Sequence, residues 1–430
     1  MEIHTDVICP FCGCLCDDIE VTVDNNKIIN VKNSCGISRS KFMNNEINRI
    51  YHPSIDGKTV SYEEAVKEAA NILANSVRPL IYGLSKIDNE AIRKAVYLTE
   101  LIGGVIDNTA SICHGSSIIA RQTVGSSASS LGEVKNRGDL IIFWGSNPMD
   151  SHPRHLARYS VIPKGKYIPN GRKDRYVIVV DVRETRTSKL ANEFIMVKPD
   201  SDFEIIQCLR AAVRGEKIQS ENIGGVPINV IEQLANRMKS AKYGCMFYGL
   251  GLNHGSTKHL NIEALYSLIS DLNHYTKFVV NPMRGIFNVT GAGVVPTWLT
   301  GYPFGVDMSR GYPRYNPGEY TSIDLLARKE ADAALIMGSD PGGTFPIGAA
   351  KRLAKIPTIT LERKQTPTTM LSKVVIPVST LGIESSGGVY RMDEVPLEMR
   401  KVVEPPKGVG TDAKVLEDII AIVESLKRCN

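Results

Sequence analysis

Hydrophobic and polar positions follow two periods in the first part of the chain. Residues 18–31 alternate between apolar and polar side chains around Asn25-Asn26, which predicts a small β-hairpin. From Ser61 the period changes to that of a helix, and Glu64 completes a capping box with Ser61. The first elements are therefore a hairpin and an amphipathic helix.

Strands and helices then alternate. Residues 80–83 form a short apolar run that predicts a buried strand, and residues 88–101 have a helical period that ends at Gly103. The same succession of strand, glycine turn and helix recurs downstream, which predicts parallel α/β layers.

One stretch of sequence returns later in the chain. Residues 142–148 and 335–341 are both apolar runs that end in Gly-Ser followed by Asn or Asp and Pro. After a further strand, each is followed by an acid, a cation and two threonines at alternate positions, in residues 181–187 and 362–368. The ordered series predicts two related nucleotide-binding halves.

The ends of these strands suit phosphate and base recognition. A Gly-Ser strand end brings backbone N–H groups and a hydroxyl close to a ligand, and the following acid and cation can meet ribose and phosphate. The alternative is that they are ordinary strand-end turns and caps. Together with a third glycine-rich strand exit at 248–255, the candidate cofactor-binding residues are Gly145, Ser146, Asn147, Asp181, Arg183, Thr185, Asp202, Gly249, Gly251, Asn253, His254, Gly338, Ser339, Asp340, Glu362 and Lys364.

Four cysteines near the start of the chain form the strongest candidate metal site. Cys9, Cys12, Cys16 and Cys35 have spacing that suits a [4Fe–4S] cluster, which takes four thiolate ligands. A zinc ribbon is the competing interpretation, although it usually has two matched Cys-x2-Cys knuckles. Cys14 lies inside the loop and is either a bystander or a substitute ligand. The remaining cysteines without a partner pattern are Cys208, Cys245 and Cys429, of which we expect the first two in the core.

A separate Cys113-His114 pair and Arg284 are the candidate catalytic residues. Cys113 is either a buried free thiol, a nucleophile activated by His114, or a thiolate ligand of a redox metal with the imidazole as proton relay. Arg284 follows the predicted strand 277–280, and its guanidinium is either a surface cation or a binding group for a carboxylate.

Composition limits the protein class. The chain has 430 residues, 43% hydrophobic and 23% charged, which suits a globular protein of two or three lobes. Its net charge of +5 suits an anionic cofactor or an acidic electron-transfer partner but includes no basic stripe of the kind that binds nucleic acid. Because it lacks long apolar stretches and a leader, we expect no membrane span and a cytoplasmic protein.

In this order, the motifs resemble those of the molybdopterin/tungstopterin oxidoreductases of the formate dehydrogenase type. The resemblance implies two Rossmann-like, doubly wound α/β domains and a small N-terminal [4Fe–4S] domain. The implied boundaries are 1–55, completed by about 380–430, then 56–108 with 286–379, and 109–285. The stretches that carry the resemblance are the cysteine quartet and residues 48–53, 60–65, 113–114, 145–148, 249–255 and 281–285.

Departures from the superfamily pattern narrow the resemblance. Formate dehydrogenases usually continue Arg-Gly-x-Asn-Asn, whereas here Phe287 precedes Asn288. Relatives often have a Lys-Gly just after the fourth cysteine as a bridge between cluster and pterin. This chain has Ser38 near that position, with Arg39 or Lys41 as candidate substitutes. No C-terminal pterin-binding barrel follows, so we expect a small separate subunit to supply it. In these respects the chain resembles the B subunits of the formylmethanofuran dehydrogenases.

What this resemblance implies is reversible reduction of CO2 to formate, at the start of methanogenesis. Cys113 would bind tungsten or molybdenum, held by a bis(molybdopterin guanine dinucleotide) cofactor, while His114 relays a proton and Arg284 orients formate. Electrons would come from ferredoxin-like or polyferredoxin subunits through the cluster, and formate would pass to an amidohydrolase subunit. The alternatives are a free-standing formate dehydrogenase and a non-catalytic Fe–S subunit of the complex I type.

Overall fold

The computed structural model describes residues 1–428, so Cys429 lies outside the described residues. The strands are β1 (Glu2–Val7), β2 (Ile19–Asp24), β3 (Lys27–Lys32), β4 (Ser54–Ile55), β5 (Lys58–Thr59), β6 (Pro79–Gly83), β7 (Val105–Asn108), β8 (Leu140–Trp144), β9 (Tyr176–Asp181), β10 (Glu193–Met196), β11 (Asn222–Ile223), β12 (Val226–Pro227), β13 (Tyr243–Tyr248), β14 (Lys277–Pro282), β15 (Val306–Asp307), β16 (Arg314–Tyr315), β17 (Ala333–Met337), β18 (Thr358–Leu361), β19 (Val374–Ile376), β20 (Gly387–Tyr390) and β21 (Pro396–Met399).

The α-helices lie between these strands and at the end of the described chain. They are α1 (Gly36–Met43), α2 (Tyr62–Asn75), α3 (Asn89–Ile102), α4 (Gly115–Val124), α5 (Leu131–Arg137), α6 (Pro148–Ser151), α7 (Asp202–Arg214), α8 (Ile228–Ser240), α9 (Leu250–Asn253), α10 (His259–Leu272), α11 (Val289–Thr300), α12 (Ser322–Ala327), α13 (Pro341–Thr344), α14 (Ile347–Leu353), α15 (Pro367–Leu371) and α16 (Asp412–Arg428). Among residues 1–428, no helix is both long and apolar enough to cross a membrane.

The larger sheet has nine strands, in the order β16-β15-β7-β6-β17-β18-β19-β4-β5. Its five central strands, β7 to β19 in that order, are parallel, and the outer strands pair antiparallel to them. Every residue of β6 and β17 is buried, because helices cover both faces of a parallel sheet. Helices α2, α3 and α16 contribute to the core on one face, and α12 and α14 contribute to the core on the other.

The second sheet has five parallel strands, in the order β10-β9-β8-β13-β14. It is formed by the chain between β7 and β15, so the larger sheet is built from two separate stretches of sequence. Helices α7, α8 and α10 pack on one face. The opposite face is covered in part by the N-terminal segment, whose Cys9, Cys14 and Cys16 share a core with Phe143 and Phe247.

The N-terminal segment is a three-stranded antiparallel sheet followed by α1. Residues 383–403 pack beside it, and a buried ion pair between Arg49 and Glu384 (2.8 Å) joins the two stretches. The sequence assigned 380–430 as a whole to this unit. Helix α16 instead packs on α2 and α3, because its apolar face continues the core of the larger sheet.

The predicted mixture of helices and parallel strands is confirmed, and so are several local details. Asn25 and Asn26 adopt positive φ angles of 47° and 60° at the hairpin turn. The capping box at Ser61 is formed in both directions with Glu64. Helix α3 ends at Gly103, whose left-handed conformation is the usual C-terminal cap.

Candidate functional site

Cys113 and His114 lie on the tight turn between β7 and α4. The carbonyl of Ala110 accepts hydrogen bonds from the backbone N–H groups of Cys113 (3.0 Å) and His114 (2.8 Å). Helix α4 then begins at Gly115, which packs between the Ala110 carbonyl and the Phe304 ring. The turn therefore fixes both side chains at the start of a helix.

Arg284 follows β14, and the structure brings it close to Cys113 and His114. Burial raises the pKa of the Cys113 thiol to about 11, and the positive charge of Arg284 opposes this shift. Burial lowers the pKa of His114 to about 3, and the same guanidinium contributes. Arg284 is itself held by a hydrogen bond from Nη1 to the Thr290 hydroxyl (2.9 Å).

The imidazole of His114 is buried and contacts Asn253. Nδ2 of Asn253 lies 3.4 Å from Nδ1 of His114 and also donates to the Gly249 carbonyl (3.1 Å). The side-chain oxygen of Asn253 accepts from the hydroxyls of Ser116 and Ser117, each at 2.6 Å. Nε2 of His114 has no hydrogen-bond partner within residues 1–428.

A cavity of about 360 Å³ opens beside His114 and Arg284. Arg121 and Glu394 contribute further charges to its wall, and Val289, Val294 and Trp298 of α11 form an apolar side. Its size and its mixture of apolar wall and few charged groups are typical of a small-molecule site. Cys113 is not among its lining residues but precedes His114 on the same turn.

Two of the four predicted cluster ligands, Cys9 and Cys35, contact Ser38. The Cys9 thiol donates to the Ser38 hydroxyl (3.3 Å), and the Ser38 N–H group donates to Cys35 Sγ (3.4 Å). The backbone N–H of Cys9 bonds the Cys16 carbonyl (2.9 Å), and the Cys12 carbonyl accepts from the N–H of Leu15 (3.2 Å). All eight cysteines of residues 1–428 are free.

This donor set suits an iron–sulfur cluster. Burial raises the pKa of the Cys16 thiol to about 12 and that of Cys9 further, so the thiolates would need the charge of bound iron. Within residues 1–428, no group of three or more His, Cys, Asp or Glu side chains is arranged to hold a metal ion. The ligands of a [4Fe–4S] cluster surround four separate irons and need not converge on one point. Cys14 is buried, and its side chain forms a hydrogen bond with Cys12. This hydrogen bond is the main reason that the pKa of Cys12 is lowered.

The repeated sequence forms the same turn twice. Gly145 and Gly338 have φ angles of 54° and 55°. Asn147 Oδ1 accepts from the Thr187 hydroxyl at 2.6 Å, and Asp340 Oδ1 accepts from the Thr368 hydroxyl at 2.6 Å.

Each threonine hydroxyl also accepts from a backbone N–H of the short helix that follows the turn, at Met149 (3.2 Å) and Gly342 (2.9 Å). The side-chain oxygens of Asn147 and Asp340 are thus engaged in holding the turns.

Some of the other predicted cofactor residues hold the local structure, and the rest lie at strand ends. Gly249 and Gly251 pack against Gly145, since a Cβ on Gly249 would lie 2.4 Å from the Gly145 carbonyl oxygen. Asp202 accepts from the Trp144 indole (2.8 Å), and Thr185 caps a turn with Ser188. The rest lie at strand ends or on their loops: Ser146, Ser339 and Glu362 are buried, Asp181 and Lys364 are partly exposed, and Arg183 and His254 are exposed.

Two observations leave room for an anionic ligand at these strand ends. The Ser146 hydroxyl is buried without a hydrogen-bond partner in the described chain. Lys86, which follows β6, packs against Gly338: a Cβ added to Gly338 would lie 3.0 Å from the Cβ of Lys86. Burial lowers the pKa of the Lys86 ammonium group. These features fit a pterin dinucleotide, whose phosphates need cations and N–H donors.

Sequence reasoning missed Ser38, Lys86, Arg121 and Glu394. Lys86 had a usable signal, since it follows a buried strand as the other candidates do. In the sequence, Ser38 is notable only as a departure from the Lys-Gly pattern. Arg121 and Glu394 are 273 residues apart, and no local pattern indicates their pairing.

No protein-family model matches the chain. The B subunit of the tungsten-containing formylmethanofuran dehydrogenase 2 of Methanocaldococcus jannaschii is 47% identical over 433 residues, covering 99% of this chain and 100% of the relative. The chain belongs to the family of formylmethanofuran dehydrogenase B subunits. The resemblance drawn from the sequence motifs is thereby confirmed.

More distant similarities agree with this family. Escherichia coli formate dehydrogenase H is 26% identical over 494 residues, covering 96% of this chain and 67% of the relative. The fold is similar, with a TM-score of 0.73 and 23% identity, to a chain of the formyltransferase/hydrolase complex FhcABCD from Methylorubrum extorquens, covering 87% of this chain and 99% of that one. The family is thus related to the formate dehydrogenases.

Proposed function

We propose that this chain is the catalytic subunit of a ferredoxin-type formylmethanofuran dehydrogenase and reversibly reduces CO2 to formate. The observation that carries the proposal is that His114 and Arg284 line one cavity, while Cys113 precedes His114 on the same turn and feels the charge of Arg284. Tungsten or molybdenum in a bis(molybdopterin guanine dinucleotide) cofactor would supply the two-electron chemistry there, with Cys113 as its protein ligand.

His114 and Arg284 would act on the carbon substrate. Formation of formate from CO2 consumes two electrons and one proton. The buried imidazole of His114 faces the cavity and would carry that proton, while the Arg284 guanidinium would bind the carboxylate oxygens in a forked geometry.

Electrons would reach the site through a [4Fe–4S] cluster on Cys9, Cys12, Cys16 and Cys35. The backbone of Gly13, inside this loop, packs directly on the Arg284 carbonyl, so the loop and the cavity residues are neighbours. Ferredoxin-like or polyferredoxin subunits would be the electron donors.

The dinucleotides would lie along the carboxyl ends of the parallel strands in both sheets. Ser146, Lys86 and the two repeated turns at Gly145 and Gly338 would contact them. A small subunit would complete the cofactor site, and an amidohydrolase subunit would receive the formate. Both partners are implied by the resemblance alone and are proposals for this chain.

The test is a cofactor and activity assay on the purified complex. We expect tungsten or molybdenum, pterin guanine dinucleotide and a [4Fe–4S] signal. Cys113→Ala should lose the metal, and Arg284→Gln should keep the metal but lower CO2/formate turnover by about 10²-fold or more. Arg310→Gln, at an exposed position, is the matched control. Full activity of Arg284→Gln would refute its role.

The same assay tests the non-catalytic alternative. An electron-transfer subunit would contain the cluster but neither tungsten, molybdenum nor pterin. Finding only iron and sulfide in the complex would therefore overturn the proposal in favour of that alternative.

A further inference from the structure

The hairpin formed by β20 and β21 brings a carboxylate to the mouth of the cavity. Glu394, in the turn between the strands, lines the cavity together with His114 and Arg284. Its Oε1 lies 3.9 Å from Arg284 Nη2, and its side chain is 39% exposed. A negative charge therefore stands beside the guanidinium that is proposed to bind formate.

Arg121 holds this carboxylate in place. Arg121, on α4, contacts Oε1 of Glu394 through Nη1 and Oε2 through Nη2 (3.3 Å). The two residues thus form a bidentate salt bridge. Burial alone would raise the pKa of Glu394, but the hydrogen bond and charge of Arg121 together with the charge of Arg284 lower the pKa below its ordinary value. Glu394 is thus ionised near neutral pH.

The turn itself is constrained. Glu394 has a φ angle of 65°, a left-handed conformation that is unfavourable for a residue with a Cβ. Its N–H donates to the Arg391 carbonyl (2.9 Å), and the neighbouring Asp393 is paired with the Arg391 guanidinium (2.6 Å). Such strain is retained where the surrounding contacts impose it, and here it directs the side chain of Glu394 to the cavity.

Arg284 is only partly engaged by these groups. Nη1 donates to Thr290, but the 3.9 Å separation between Nη2 and Glu394 is too long for a hydrogen bond. A second carboxylate can therefore bind Nη2 while Glu394 remains nearby. The carboxylates of Glu394 and formate would then share the Arg284 guanidinium. Repulsion between them weakens the binding of formate but does not affect CO2, which is neutral.

We propose that Glu394 is a built-in carboxylate that competes with formate for Arg284 and promotes release of the product from the cavity. This inference rests on the proposed function. It makes Glu394 a residue that sets the affinity for an anionic product, and it makes Arg121 the residue that positions Glu394.

The test uses Glu394→Gln in the complete complex, because glutamine keeps the shape and one hydrogen bond to Arg121 but removes the charge. With formate as substrate and a viologen dye as electron acceptor, we expect the KM for formate to fall about tenfold. Glu394→Asp, which keeps the charge, should restore a KM near that of the parent. Glu398→Gln, on the same hairpin and exposed, is the matched control and should leave KM unchanged.

The outcomes separate this inference from the proposed function. If the parent complex lacks tungsten and molybdenum or does not oxidise formate, the proposed function fails. If the parent is active and Glu394→Gln has an unchanged or higher KM, only the role of Glu394 is overturned. A change in thermal stability without a change in KM would show that Glu394 serves only to anchor Arg121.

Discussion

The backbone of Gly13 lies directly against the carbonyl oxygen of Arg284, at a position where a Cβ on Gly13 would be 2.3 Å from that oxygen. The same carbonyl accepts a hydrogen bond from Nε2 of His152 (2.8 Å). A carbon and an oxygen that are not bonded cannot lie 2.3 Å apart, so any side chain at position 13 would push the two segments apart. Position 13 therefore requires glycine because the two backbones lie so close, and not because glycine can adopt unusual backbone angles. The cysteine loop and the segment that carries Arg284 are therefore positioned by each other.

Replacing Gly13 with alanine should separate these two segments. We expect Gly13→Ala to lower CO2/formate turnover by roughly 10²-fold, because a shift of about 1 Å in a positioning group has effects of that size. Turnover, iron content and tungsten or molybdenum content of the purified complex would be measured together.

Gly36→Ala provides the control for this substitution. Gly36 also lies in the cysteine segment, but no atom lies within 4 Å of the Cβ it would gain. It should retain activity. Equal activity of Gly13→Ala and Gly36→Ala would show that the close approach has no functional consequence.

The contact between Asn253 and His114 predicts a second effect on catalysis. The Gly249 carbonyl requires a donor, so Nδ2 of Asn253 faces both that carbonyl and Nδ1 of His114. Nδ1 must then accept, and the neutral imidazole presents an N–H at Nε2.

Asn253→Asp should reverse this arrangement, because a carboxylate accepts from Nδ1 and leaves Nε2 without its proton. We expect kcat to fall by at least about 10²-fold with little change in KM, by analogy with other histidines held in the wrong tautomer. Steady-state kinetics on a variant with normal metal and pterin content would check this. A fall confined to metal content would instead assign Asn253 to cofactor binding, as the sequence predicted.

Ser38 predicts a property of the cluster. Its hydroxyl lies 3.3 Å from Cys9 Sγ and accepts from the free thiol, and its N–H donates to Cys35 Sγ (3.4 Å). With Cys9 bound to iron as a thiolate, the hydroxyl would donate instead, and hydrogen bonds to cluster sulfurs favour the reduced state. Ser38→Ala should lower the midpoint potential by about 20–60 mV, the equivalent of one hydrogen bond in a one-electron couple. A redox titration followed by electron paramagnetic resonance would measure it.

Ser40→Ala, two residues further along α1 and exposed, is the control and should leave the potential unchanged. If Ser38→Ala also leaves it unchanged, the hydroxyl does not contact the cluster. If neither protein contains iron, the assignment of the four cysteines is wrong.

Local features were predictable from the sequence because they depend on neighbours in the chain. The capping box at Ser61 and the αL cap at Gly103 involve residues no more than four positions apart. The repeated Gly-Ser turns were also visible, and the hydrogen bonds of Asn147 and Asp340 show that the similarity reflects one shared turn geometry.

Contacts between distant segments were not predictable in this way. The approach of Gly13 to Arg284 and the pairing of Arg121 with Glu394 each join segments more than 250 residues apart, and their positions depend on how the two sheets and the N-terminal segment pack. Local motifs therefore indicated the catalytic candidates but not the charges that surround them.

The buried His155 predicts how stability depends on pH. Its ring packs against Phe143 and Phe247, and burial lowers its pKa from 6.5 to about 3. Between these values the unfolded chain binds a proton that the folded chain excludes, so stability falls as the pH drops below about 6.5. At pH 5.5 this one residue should account for about 1.4 kcal/mol of the loss. His155→Phe should remove that share of the pH dependence, measured as the change in denaturation midpoint between pH 7.5 and 5.5. His274→Phe, at an exposed position, should retain the parent's pH dependence, and a His155→Phe variant as acid-sensitive as the parent would assign the effect to other groups.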